Sequence, residues 1–205
     1  MIFKTSSKYN LASNLYDFME RGIEAKLFSK LREKVIPLAA GTVLEIGVGT
    51  GKNLQYYNQS VKVSAIDFSK GMLEKADKKL KQLNRQNIEL ILMDAQNLKF
   101  ENNQFDSITA AFVFCTVPDP VKGLKETYRV LKPGGKAFFI EHMLTDNYFI
   151  NSILFMMNIF SKIFLGTSMI RKTENNIKAA GFKVTSSERY HYGIVRVIVA
   201  EKSIK

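Results

Sequence analysis

The 205-residue sequence contains no tryptophan, one cysteine, four prolines and two histidines. The lone cysteine, Cys115, excludes an internal disulfide and fits a reducing compartment. No His/Cys/Asp/Glu cluster has metal-ligand spacing, so no metal is expected. Repeats and low-complexity segments are also missing. The opening residues, Met1 to Lys8, lack the apolar run of a signal peptide, and a cytoplasmic protein is expected. Residues 148–165 are the most apolar stretch, but Asn151, Ser152, Asn158, Ser161 and Lys162 interrupt it, which makes a poor transmembrane span. What remains is a chain of 46% apolar residues, ample for a single domain with one core.

Acidic residues are scarce, 19 against 30 lysines and arginines, for a net charge of +11. The excess sits at the ends: residues 1–41 and 142–205 hold +3 and +5, and residues 42–141 hold +3. Such a distribution suits an anionic partner near the termini, whether lipid, nucleic acid or acidic substrate, or simply a lysine-rich surface.

The segment Val43-Leu-Glu-Ile-Gly-Val-Gly-Thr-Gly51 stands out. Val43, Leu44 and Ile46 suit a short strand buried on both faces. Gly47, Gly49 and Gly51 then allow a sharp turn and close approach of a ligand to the backbone. The pattern turns polar and helical after Gly51, predicting a helix N-terminus and a ligand site at a strand tip. The dinucleotide fingerprint would need glycine at Lys52, so this is a different variant.

Before this segment, Ile23, Leu27, Leu31 and Val35 recur every fourth residue, predicting a helix over about 14–35 closed by Pro37 and Gly41. Lys26, Lys30 and Lys34 line another of its faces. After it, strands are predicted at 61–66, 88–93, 105–113 and 136–141, with helices at 69–83 and 121–131. A turn is expected at Lys132-Pro133-Gly134-Gly135. A helix over 171–180 and two strands at 182–187 and 194–200 follow. Residues 148–165 are expected to form a core or lid helix, or one touching membrane or an apolar substrate. The fold class is therefore α/β: a doubly wound, seven-stranded, mostly parallel sheet, with a C-terminal antiparallel pair and an N-terminal helical cover. The expected division is 1–41 as cover, 42–141 as core and 142–205 as lid region and last strands.

Polar residues fall at the predicted strand tips. Asp67, 20 residues past Gly47, can accept from both hydroxyls of a ribose, or can cap the next helix. Phe68 and Met72 can pack on an adenine ring. Asp94 can accept from its exocyclic amine, and the Ala95 amide can donate to a ring nitrogen.

Glu45 to Gly51, Ile66-Asp67-Phe68-Ser69 with Met72-Leu73, Met93-Asp94-Ala95-Gln96, Phe105-Asp106-Ser107 and Arg129 to Gly135 stand together in an order that resembles the class I methyltransferases of the type 11 group. The resemblance implies a Rossmann-like methyltransferase fold and S-adenosylmethionine as cofactor. It assigns Glu45, Gly47, Gly49, Thr50, Gly51, Asp67, Phe68, Met72, Asp94, Ala95 and Ala111 to the cofactor site. Tyr9-x-x-Ala12-x-x-x-Tyr16-Asp17 is similar to the N-terminal motif of soluble bacterial phospholipid N-methyltransferases, with the alanine one place early. Gly193-Ile194-Val195 is shared with quinone-ring methyltransferases, and Glu141-His142 with thiol methyltransferases. The implied activity is methyl transfer to a lipid-like or small-molecule acceptor, among them the amine of phosphatidylethanolamine. Quinone-ring or thiol methylation is the alternative, and a non-catalytic cofactor-binding scaffold is the alternative of another class. His142 is the candidate base, Tyr9 and Tyr16 candidates for the acceptor pocket, and Arg171 for a substrate phosphate. An anionic membrane surface is a further candidate partner. Nucleic acid is not expected, because no Asn-Pro-Pro-Tyr or Asp-Pro-Pro-Tyr follows the fourth strand.

Overall fold

A computed structural model describes residues 28–145, 147–149, 151, 152, 155 and 171–204. Tyr9, Tyr16, Lys26, the 14–27 part of the helix expected over about 14–35, and most of 148–165 lie outside the described residues.

Seven strands form one sheet: β1 (Thr42–Ile46), β2 (Lys62–Asp67), β3 (Ile88–Leu92), β4 (Phe105–Ala111), β5 (Leu131–His142), β6 (Lys183–Tyr190) and β7 (Val195–Glu201). Their order is β3-β2-β1-β4-β5-β7-β6. The first five run parallel, and β7 is antiparallel to both β5 and β6. The chain reverses direction across the sheet at β1, so the β1 and β4 tips flank the crevice where ligands bind in such sheets.

The α-helices described end to end are α1 (Ser29–Val35), α2 (Lys70–Gln82), α3 (Pro120–Val130) and α4 (Thr173–Ala179). Local chemistry starts two of them. The Ser69 hydroxyl accepts from the Met72 amide at the head of α2. Asp119 accepts from the Lys122 amide ahead of Pro120, which opens α3 in the position proline favours. Gly123, Leu124, Thr127 and Val130 give α3 its buried stripe.

The sheet is buried on both faces, as its apolar runs require. Leu44, Ile46, Ile108 and Phe139 face a layer with Leu124 and Ile177. Val43, Val63, Phe138 and Val197 face the other side, with Phe28, Leu31 and Val35. Helix α1, which falls in the expected N-terminal cover, thus packs onto one face.

Beyond shifts of a few residues at element ends, two features differ from the sequence reading. The expected turn at 132–135 lies inside β5, whose register against β4 jumps from Phe105↔Leu131 to Ser107↔Lys136. Backbone bonds of Gly134 and Gly135 with Lys202 hold this bulge to the chain just past β7. The helix expected after Gly51 is only a 3-10 turn, Leu54–Tyr56. Asn53 is drawn into the core by its side-chain bonds, and Tyr57 leaves in an extended conformation.

No helix of the described residues is long and apolar enough to cross a membrane.

Candidate functional site

The glycine turn joins β1 to the tip of β2. The Val48 amide donates to the Ile66 carbonyl at 2.9 Å, and the Gly51 amide to the Val48 carbonyl at 2.9 Å. All three glycines have positive φ, +69°, +55° and +81° in order. Their surroundings differ. A Cβ on Gly47 would lie 2.5 Å from Val113 Cγ2, and one on Gly51 would lie 2.7 Å from Leu54 Cδ1. A Cβ on Gly49 would meet nothing within 4 Å. The outer two glycines are needed for packing, whereas Gly49 borders open space. That space is the room a ligand needs to lie on bare backbone. Thr50 beside it is half-buried.

Asp67 ends β2 beneath this loop. Its Oδ2 accepts from the Gly49 amide and its Oδ1 from the Ser69 amide, each at 2.9 Å. Ser69, not Asp67, caps α2, so the carboxylate acts as a bridge between the two loops. Burial raises its pKa, and the amide bonds pull the other way. Phe68 is half-buried, and Met72 is buried in the first turn of α2. Asp94, past β3, accepts from both the backbone and side-chain nitrogens of Gln96, with buried Ala95 between them. Ala111 ends β4 and is half-buried. The sequence-predicted cofactor residues therefore gather along the β3-β2-β1-β4 tips.

Glu45 lies deeper, fully buried under the loop. Its Oε1 accepts from Asn53 Nδ2 at 2.7 Å, and its Oε2 has no hydrogen-bond partner. Arg32 of α1 donates through Nη1 to the other end of the same Asn53 side chain. Tyr57 and Thr109 share a hydroxyl hydrogen bond of 2.6 Å nearby. Desolvation pushes the Glu45 carboxyl up to about 7, against the pull of Asn53 and Arg32. Arg32, Asn53, Tyr57 and Thr109 were not legible as site residues, because only folding brings them beside Glu45.

At the tip of β5, the half-buried His142 ring packs on Phe112 with centroids 4.5 Å apart and meets the Phe28 edge at 5.6 Å. Phe112 takes a left-handed φ of +61° and also lies under the Arg32 guanidinium, 5.3 Å from its ring centroid. Val113, the next residue after Phe112, fills the space over Gly47 and so ties this aromatic group to the glycine loop through the chain.

Glu141, before His142, is fully buried. Its Oε1 accepts from the Val113 and Phe114 amides at 3.0 and 2.9 Å, and its Oε2 has no hydrogen-bond partner. Burial pushes it up to about 7. It shapes the loop after β4. Arg171 supports the same loop from outside, donating Nη1 to the carbonyls of Phe114 and Val117 at 3.1 and 2.7 Å. Arg171 thus clamps this loop through Nη1, whatever the rest of its guanidinium meets. The loop after β4 has carbonyls with no strand partner, and this guanidinium satisfies two of them.

Of the expected lysine stripe, Lys26 lies outside the described residues and Lys30 is exposed. Lys34 is held by Glu188 Oε2 at 2.9 Å and Tyr190 Oη at 2.8 Å, and both bonds raise its pKa.

Comparison with known proteins fits this geometry. Residues 44–139 match the family described as "Methyltransferase domain". A phosphatidylethanolamine N-methyltransferase of Cereibacter sphaeroides is 39% identical over 107 residues, 52% of this chain and 53% of that protein. The chain thus aligns with about half the length of that relative. A demethylmenaquinone methyltransferase of Lactococcus lactis is 30% identical over 224 residues, 96% of this chain and 89% of that protein. The solved structure of a SAM-dependent methyltransferase from Thermotoga maritima superimposes with a TM-score of 0.73 at 22% identity, over 97% of this chain and all of that one, a likeness of fold.

Proposed function

The chain belongs to the class I S-adenosylmethionine-dependent methyltransferases, and from that premise we propose that it methylates the amine of a phosphatidylethanolamine-type lipid at an anionic membrane surface. The observation that carries the reading is the Phe112–His142–Phe28 aromatic group beside the glycine loop. Aromatic faces attract an ammonium, and the attraction persists as methyl groups replace its hydrogens. The N-methyltransferase relative from Cereibacter sphaeroides supports the same acceptor class.

Gly47, Gly49, Thr50 and Gly51 would line the cofactor, with Gly49 at the open face. Asp67 would hold the ribose through acceptor sites left beside its two amide bonds. Phe68, Met72, Asp94, Ala95 and Ala111 would enclose the adenine. Glu45, fully buried, would act through Asn53 and the loop backbone rather than by direct contact. When bound, the cofactor supplies a methyl group already activated on a sulfonium sulfur. The protein's task is alignment of the acceptor and exclusion of water. His142 would take the proton that an ammonium acceptor must lose before its nitrogen attacks. Tyr9 and Tyr16, outside the described residues, keep their place as candidates for the acceptor pocket.

A second reading, methylation of a quinone ring, is favoured by the near full-length similarity to the demethylmenaquinone methyltransferase. A flat ring would stack on the same aromatic group. Labelled S-adenosylmethionine, offered with phosphatidylethanolamine vesicles or with demethylmenaquinone in neutral detergent, separates the two. Label in the lipid amine is expected, and label only in the quinone overturns the first reading. In the same assay His142→Ala should cut turnover about 100-fold or more, the lower end of general-base contributions. Activity within threefold of the parent reduces His142 to a lining role.

A further inference from the structure

Helix α1 buries a charge that its packing does not need. Phe28, Leu31 and Val35 already seat the helix on the sheet, yet Arg32 beside them is only 5% exposed. Arginine is rarely buried unless it is paired, and a buried charge adds little net stability over an apolar side chain of its size. Where Arg32 reaches is therefore informative. We propose that Arg32 is a positioning residue for methyl transfer, which holds the end of the glycine turn and the aromatic group of the acceptor side in one fixed relation. The proposal rests on the reading of that group as the acceptor's place, and adds the residue that ties it to the cofactor side.

One contact of Arg32 lies on the cofactor side. Its Nη1 donates to Asn53 Oδ1, and Asn53 Nδ2 donates to Glu45 Oε1 at 2.7 Å. Asn53 is 3% exposed and follows Gly51 by two residues, so its side chain pins the end of the glycine turn to β1. A guanidinium only donates, and Glu45 Oε1 accepts, so the amide between them has a single orientation that satisfies both. The planar fork of arginine gives this chain of bonds its fixed direction, which an ammonium on a flexible stem does not.

The same guanidinium meets the acceptor side. Its carbon lies 5.3 Å from the centroid of the Phe112 ring. Phe28, four residues before Arg32 and so on the same side of the helix, packs on that ring at 4.7 Å, and His142 at 4.5 Å. Phe112 holds a φ of +61°, which is sterically costly for a bulky residue. Such a conformation persists only where its surroundings fix it. Glu141 fixes the backbone through the Val113 and Phe114 amides, and Phe28, Arg32 and His142 fix the ring. Arg32 is thus shared between Asn53, behind the glycine turn, and Phe112, beside the candidate base. In-line transfer needs acceptor, methyl and sulfur in register, and a displacement of about 1 Å is enough to cost roughly 100-fold in rate.

Arg32→Met keeps a long side chain and removes both contacts. With whichever of phosphatidylethanolamine and demethylmenaquinone takes label, kcat is expected to fall about 100-fold. The acceptor KM and the calorimetric Kd for S-adenosylmethionine should stay within about threefold, the split of an interaction that acts in the transition state. Arg32→Lys, which keeps the charge without the fork, should fall nearly as far. Val35→Ala, buried on the same helix, should lower Tm and leave kcat at the parent value. Phe112→Leu should cost much less in the Arg32→Met background than in the parent, because the ring has already lost its hold. A readout without turnover comes from His142, one of only two histidines. Its ring protons should shift in the proton NMR spectrum of Arg32→Met, because the Phe112 ring 4.5 Å away is displaced, and should stay in place in Val35→Ala. Parent-level kcat in Arg32→Met or Arg32→Lys, additive losses with Phe112→Leu, or an equal loss of kcat in Val35→Ala overturns the proposal. Should Arg32→Met fold poorly, Arg32→Lys replaces it in every comparison. The acceptor reading fails separately: label in neither acceptor sinks that reading, and the His142 signals then decide, a shift upholding the role of Arg32 and unchanged signals overturning it.

Discussion

Replacing Asp67 tests the organisation of the cofactor edge most directly. Its two oxygens are shared between the Gly49 and Ser69 amides. In Asp67→Ala both donors lose their acceptor. Ser69 is fully buried, so its orphaned amide costs the full desolvation penalty, about 1–3 kcal/mol. Gly49 is half-buried and can recruit water, so its share is smaller. A total of about 2–4 kcal/mol corresponds to a fall in Tm of about 4–16 °C for a domain of this size. Asp67→Asn keeps one acceptor but points an amide donor at another donor. The amide should turn toward the more exposed Gly49, sparing Ser69 and loosening the glycine loop. Asp67→Asn should therefore melt close to the parent and still bind S-adenosylmethionine at least tenfold more weakly. Scanning calorimetry gives the first quantity and titration calorimetry the second. Unchanged melting of Asp67→Ala would refute the bridge. Lowered stability of Asp67→Ala together with unchanged cofactor affinity in both variants would refute the ribose role while leaving the bridge.

Two further outcomes are expected. Glu45 and Glu141 are fully buried carboxyls pushed from 4.5 up to about 7. Between those values the folded chain binds protons that the unfolded chain has lost, so their contribution to stability is full below pH 4.5 and is lost as pH rises through about 7. Each accounts for about 3 kcal/mol at the conversion of about 1.36 kcal/mol per unit. Glu141→Gln keeps a carbonyl acceptor for the Val113 and Phe114 amides and cannot ionise, so it should flatten the decline in urea-unfolding free energy between pH 5 and pH 8. An identical decline in parent and variant would show that Glu141 does not titrate there. Gly49→Ala should melt within a few degrees of the parent, since only its φ objects, and should lose cofactor affinity, whereas Gly47→Ala should be strongly destabilised by its clash with Val113. Equal melting temperatures for the two variants would contradict the assignment of open space to Gly49.

The order of strands and helices was legible in the sequence because its physical causes are local or periodic. Strands buried on both faces must be mostly apolar, as at Val43–Ile46 and Ile108–Ala110, where only Glu45 and Thr109 are polar. A sharp turn at a strand tip must be built from glycine, and a carboxylate at the end of β2 can be counted from it. What was misread depended on partners distant in sequence. The expected helix after Gly51 shrank to one 3-10 turn because Asn53 bonds Glu45 and Arg32 in the interior. Only folding shows that the Nη1 of Arg171 bonds the carbonyls of Phe114 and Val117. Lys34 belonged to a helical stripe until β6 supplied Glu188 and Tyr190. Arg189 and Arg196 stand seven positions apart with no local pattern, and become a pair only through the β6–β7 register. Local conformation answers to neighbouring residues and to periodic burial. Which buried charge meets which donor, and which like charges are forced together, answers to strand register and layer packing, and those exist only in the folded chain.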